Sequence, residues 1–90
     1  MSNYQPDPNK VRELAWFDKK GSEYIVGSEP IDMFSGTFLS NLLAIGDDDD
    51  PELFGHYSIP DEQVLKLQMY VKHRINTKKY NYYTVTYART

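Results

Sequence analysis

Taken two apart along Lys10–Asp18 (KVRELAWFD), the apolar residues fall on both sides, with Val11, Ala15 and Phe17 on one side and Leu14 and Trp16 on the other. A period of two is the mark of a strand, and bulk on both sides predicts a strand central in its sheet. Lys19-Lys20-Gly21-Ser22 follows as a turn, with Gly21 able to take the positive φ that a tight hairpin needs. Glu23 to Ser28 (EYIVGS) reads as the returning strand, and Pro30 ends it. The spacing therefore predicts a β-hairpin over residues 11–28.

Beyond Pro30 the period changes. Met33, Phe34, Phe38, Leu42 and Ile45 follow helical spacing, and Leu39 and Leu43 widen the stripe. This predicts a helix capped by Asp32, running to about Ile45 and stopped by Gly46 at the C′ position. Asp47 to Glu52 (DDDDPE) is a solvated loop leading to a short turn at 51–54, and residues 55–60 form a short strand or extended link. A second helix is expected from Pro60, Asp61 and Glu62 at its start to Lys72, His73 and Arg74 in its last turn, matching the helix dipole at both ends. Val64, Leu67, Val71 and Ile75 would form its buried face. After a turn at 76–79, Tyr80 to Ala88 (YNYYTVTYA) is rich in β-branched and aromatic residues and predicts the final strand.

These elements define an α+β fold of order β-β-α-(short β)-α-β, with two helices packed on one face of a small, mainly antiparallel sheet. Residues 1–9 (MSNYQPDPN) read as a flexible N-terminal tail, and residues 10–90 as a single domain. Ninety residues give a thin core, so one Trp, four Phe and eight Tyr are expected to supply much of its buried area. There is no cysteine, which excludes both a disulfide framework and a thiolate zinc site. No charged segment followed by an apolar one opens the chain, and no apolar run approaches the ~20 residues of a membrane span. The expected compartment is the cytoplasm, with no membrane partner.

Charge adds a second pattern. All 13 acidic residues lie at or before Glu62, while six of the ten Lys and Arg residues follow it. The first 62 positions carry −9 and the last 28 carry +6, for a net charge of −3. So polarised a chain presents fields of opposite sign, which steer partners. Two surfaces follow as candidates. The first is an acidic one for a basic protein, made of Asp47, Asp48, Asp49, Asp50 and Glu52. The second is a basic, tyrosine-bearing one for RNA or DNA, made of Lys72, Arg74, Lys78, Lys79 and Tyr82. The sequence pI of about 5.2 weighs against the second. Within the last strand, Tyr83, Val85 and Tyr87 share the face expected to pack, which leaves Tyr82 as the stacking platform.

Catalytic patterns are missing. An EF-hand loop from Asp47 would need Gly near position 52 and Glu near 58, where Glu52 and Ser58 stand, so no metal is expected. His56 and His73 are 17 positions apart in no zinc-ligand pattern, and Ser22 and Ser58 lie in no nucleophile motif. The five glycines are scattered singly and build no phosphate loop. Neither an enzyme nor a cofactor is expected.

The stretches A-W-F-D-K (15–19), E-P-I (29–31), Y-S-I-P-D-E-Q (57–63) and K-Y-N-Y-Y (79–83) resemble small uncharacterised bacterial domains of about this length. Some compact acidic proteins of that general kind are immunity proteins for toxins. The resemblance implies the fold and carries no catalytic residues. The expectation is thus a non-catalytic interaction module that binds a basic partner. A nucleic-acid binder is one alternative, and a homodimer paired through the edge of its C-terminal strand is another.

Overall fold

The computed structural model describes residues 10–21, 24–31, 33–50, 53 and 55–88. Strands β1 (Lys10–Asp18), β2 (Gly27–Pro30), β3 (Tyr57–Ile59) and β4 (Tyr80–Ala88) form one antiparallel sheet of order β2-β1-β4-β3. Helices α1 (Gly36–Leu43) and α2 (Asp61–Val64) complete the expected α+β order, and a single 3-10 turn, Leu65–Leu67, continues α2. The tail reading for residues 1–9 lies outside the described residues.

β1 and β4 have the limits their patterns predict, and they pair along their whole length, from Lys10 opposite Ala88 to Asp18 opposite Tyr80. Two rows cross the sheet on its inner face. One is Gly27–Trp16–Tyr82–Ile59, and the other is Glu29–Leu14–Thr84–Tyr57. Against them pack Ile31, Leu39, Leu43, Leu53, Val64, Leu67, Val71 and Ile75, which complete the core. Burying each such aliphatic side chain contributes roughly 1.5–3 kcal/mol.

The face expected to pack in β4 is the wrong one. Tyr82 is 1% exposed and Thr84 fully buried under the helical layer, while Tyr83, Val85 and Tyr87 lie on the opposite face, where Val85 alone of the three is buried. Alternation shows that a strand has two faces, and here both carry large residues, so only the position of the helices tells them apart. The C-terminal strand is also interior. The sheet edges are β2 and β3, so the expected edge pairing through β4 is not available along its β1 side or opposite β3.

The returning strand begins four residues later than predicted. Tyr24, Ile25 and Val26 are exposed in a connecting segment, and β2 pairs Gly27–Pro30 with Glu13–Trp16. Gly27 fixes that register: a Cβ there would lie 2.6 Å from the Trp16 ring. Ser22 and Glu23 lie outside the described residues.

α1 starts at Gly36, where Ser35 in extended backbone is the N-cap and its Oγ accepts from Phe38 N–H at 3.0 Å. Asp32, the expected cap, lies outside the described residues. The helix ends in a left-handed Ala44 (φ 53) whose N–H reaches Ser40 O, two residues before the predicted glycine stop. Gly46 (φ 112) then turns the chain where a Cβ would meet Leu53 at 2.7 Å.

The second helix is far shorter than predicted, and the reason is side-chain competition for backbone groups. Glu29 accepts the N–H groups of Lys72 (2.8 Å) and His73 (2.9 Å). Gln68 donates to His73 O and accepts from Ile75 N–H, both at 2.8 Å. These bonds satisfy an irregular 68–76 segment without a helix. Val64, Leu67, Val71 and Ile75 are all buried nonetheless. Lys72, His73 and Arg74 consequently sit at no helix end. Among the described residues no helix is long and apolar enough to cross a membrane.

Candidate interaction site: the acidic turn

The four consecutive aspartates form a tight turn closed by Asp50 N–H on Asp47 O (2.9 Å), with Asp47 Oδ1 accepting from Asp49 N–H (3.1 Å). Local side-chain acceptance of this kind is what makes Asp a turn residue. Asp50 differs from its three neighbours. Its Oδ2 accepts from Gly55 N–H at 2.7 Å and from the Tyr57 hydroxyl at 2.5 Å, which ties the turn to β3. The Asp50 hydrogen bond, with lesser contributions from burial and from the charges of Asp50 and Asp47, pushes the Tyr57 hydroxyl up to about 12. Tyr57 therefore stays a donor throughout the physiological range.

Asp47, Asp48 and Asp49 are exposed. Beside them lies an open depression of about 420 Å³, lined by Thr37, Ser40, Ala44, Ile45, Gly46, Asp47 and Asp48. The last turn of α1 borders it, and its carbonyl end adds negative potential to that of the carboxylates. Of the predicted acidic set, three residues thus face solvent, Asp50 holds the turn, and Glu52 lies outside the described residues. Among the described residues no three His, Asp or Glu side chains gather as a metal site would require.

The predicted basic set is split. Tyr82 is buried and cannot stack on a base. Its hydroxyl accepts from Asn76 N–H (2.8 Å) and meets His73 Nε2 (2.7 Å), and the His73 ring stacks on Trp16 with centroids 3.6 Å apart. Burial lowers the His73 pKa more than the nearby Glu29 charge raises it, so the ring favours the neutral form, whose Nε2 can accept a hydrogen bond from the Tyr82 hydroxyl. Burial likewise raises the pKa of Tyr82. His73 is thus a half-buried packing residue between Trp16 and Tyr82, and His56 bridges from the β3 approach to Thr86 O at 3.2 Å. Lys78 and Lys79 line a 360 Å³ depression together with Lys19, Lys20, Asp18 and Asn76, whereas Lys72 and Arg74 do not line it. Sequence reading missed Lys19 and Lys20. The signal was available in the lysine pairs that flank the two long strands, once those strands are aligned end to end.

The charge asymmetry of the sequence becomes a spatial one. The lysine corner sits at the start of β4, and the segment after the acidic turn is fastened at its far end, where Thr86 Oγ1 donates to Leu53 O at 3.0 Å. Six residues of strand separate these points, about 20 Å.

A four-stranded antiparallel sheet with one helical layer defines a small α+β domain, and that is the class of this protein. The chain belongs to the family described as a domain of unknown function, DUF7683, which matches residues 11–84. No curated protein and no solved structure matches it.

Proposed function

We propose that this protein is a non-catalytic interaction module that presents its acidic turn to a protein with a basic surface. The observation that carries the reading is the pair of hydrogen bonds to Asp50 Oδ2, which hold the turn so that Asp47, Asp48 and Asp49 stand outward together. A surface already ordered before contact gives up less entropy on binding. Its charge raises the encounter rate and selects the partner more than it adds raw affinity.

An apolar patch supports the same reading. Phe34, Phe38 and Tyr70 contact one another with ring centroids 5.3–5.8 Å apart, and Met33, Leu65 and Met69 are exposed. Phe38 belongs to the N-terminal half of α1, while the acidic turn follows the helix C-terminus, so roughly 8 Å of helix separates the two. An apolar centre with a charged margin is the usual anatomy of a protein interface. In its finer form the proposal is an inhibitor or immunity-like protein of the cytoplasm, whose carboxylates occupy the phosphate positions of a nuclease.

The test is affinity capture from the native lysate, followed by calorimetry with the purified partner. Asp47→Asn/Asp48→Asn/Asp49→Asn is expected to weaken binding at least tenfold at low salt with the circular dichroism spectrum retained. A partner bound equally well by wild type and triple variant refutes the assignment.

A further inference from the structure

The helices cover the sheet face of Leu14 and Tyr82, and the opposite face carries a trough of about 440 Å³ lined by Phe17, Asp18, Lys19, Gly21, His56, Asn81, Tyr83 and Val85. Its floor follows three successive rows of paired residues, Phe17–Asn81, Ala15–Tyr83 and Glu13–Val85. Rows on one face repeat every second residue, so the floor is about 14 Å long. Phe17 and Tyr83 meet edge to face, with centroids 5.3 Å apart and planes at 82°. Both rings are half-buried, while Asn81 and His56 are exposed beside them. The trough therefore offers aromatic surface flanked by an amide and an imidazole.

At one end this trough runs into the lysine corner, since Asp18 and Lys19 line both depressions. Backbone bonds hold the corner in shape. Lys19 N–H donates to Lys79 O (2.9 Å), Lys20 N–H to Asp18 Oδ1 (2.9 Å) and Lys78 N–H to Asn76 Oδ1 (3.1 Å). Lys19 pairs with Asp61 at 2.9 Å and Lys79 lies over the Tyr80 ring at 5.3 Å. Among the described residues Lys20, Lys78 and Lys79 have no carboxylate partner within salt-bridge distance, so positive charge dominates this end of the sheet. Asp18 and Asp61 offset part of this charge, but four lysines against two carboxylates leave the corner net positive, and the aspartate turn lies at the other end of β4.

We propose that this trough and corner bind single-stranded nucleic acid, with bases against Phe17 and Tyr83 and the backbone phosphates on Lys19, Lys20, Lys78 and Lys79. An open sheet face with aromatic side chains and a flanking cationic track provides sequence-tolerant stacking together with charge neutralisation. Asn81 and His56 supply hydrogen bonds to base edges. The site is independent of the acidic turn, so the loss of one leaves the other intact.

The test is fluorescence anisotropy of the full chain with a labelled single-stranded oligothymidylate of about eight nucleotides, near the short end of known site sizes. Binding is expected at about 50 mM salt and should weaken as salt rises. Lys20→Ala/Lys78→Ala changes two exposed side chains and should lower the salt slope by about 1.4, since each neutralised phosphate on a single strand contributes about 0.7. Tyr83→Leu keeps the apolar packing but removes the larger stacking surface, and should weaken binding about tenfold with the slope unchanged. Amide shifts of the wild type on binding should centre on Phe17, Asn81 and Tyr83. Three results overturn the proposal: no binding at low salt, equal binding of polyglutamate, or a mononucleotide that displaces the strand at equal molar affinity. The last would assign the trough to free nucleotides.

Discussion

Gly27→Ala tests the packing on which the inner face of the sheet depends. The added Cβ would lie 2.6 Å from one carbon of the Trp16 ring and 2.7 Å from its next two closest atoms. Ordinary contact begins near 3.4 Å, so the indole must retreat by about 0.8 Å or β2 must slip. Retreat is obstructed, because the same indole stacks on His73 at 3.6 Å and stands 6.2 Å from the Tyr82 ring. Overpacking of this kind costs about 1–3 kcal/mol, and part of the Trp16–His73 contact is lost with it. A destabilisation of about 2 kcal/mol is expected, which in a domain of this size lowers Tm by roughly 10 °C. Trp16 is the one tryptophan of the chain, so its fluorescence during urea unfolding reports both the midpoint and the local environment. A midpoint within about 0.5 kcal/mol of wild type would refute the reasoning, the ordinary range for a substitution at an inert surface position. In a Trp16→Leu background, followed by circular dichroism because the tryptophan is gone, Gly27→Ala should cost less than in wild type, because a smaller side chain leaves room for the new methyl group.

Two further outcomes follow from the core. Thr84 is fully buried and its hydroxyl has no hydrogen-bond partner among the described residues, so Thr84→Val, which keeps the β-branch, should raise stability by about 1 kcal/mol in chemical denaturation; a loss instead would refute the reasoning. His73 has its pKa lowered from 6.5 in the folded state, so the unfolded chain binds its proton first. Its contribution is complete above about pH 7 and declines as pH falls through and below 6.5, and His73→Gln should flatten that part of the stability-versus-pH curve; an unchanged curve would refute it.

Much of the architecture is written in local pattern. Lys10–Asp18 and Tyr80–Ala88 were legible as strands to the residue, because each is rich in aromatic or β-branched residues with bulk on both sides, and turn-forming residues separate each from its neighbour in the chain. The element order and the single helical layer follow from two apolar stripes that need one sheet to cover them. The acidic turn was legible too, since four aspartates beside proline have few alternatives to a surface turn. Asp50 could not be told from its neighbours, however. Its distinct role depends on the Tyr57 hydroxyl seven residues away, which reaches it only when β3 has joined the sheet.

The sequence by itself determined the two long strands, where the buried aliphatic positions of the 64–75 segment fall and how charge is apportioned along the chain. These are properties of short-range periodicity and composition, and no partner segment is needed to express them. Tertiary structure alone decided three matters. It chose the inner face of β4, burying Tyr82 and leaving Tyr83 beside the trough, because alternation is symmetric until a helical layer covers one side. It replaced most of a predicted helix with an irregular segment, because Glu29, more than forty residues away, takes the N–H groups of Lys72 and His73. Finally, it brought Lys19 and Lys20 to Lys78 and Lys79, since full antiparallel pairing of β1 with β4 unites the flanking turns of two strands that lie at opposite ends of the domain's sequence.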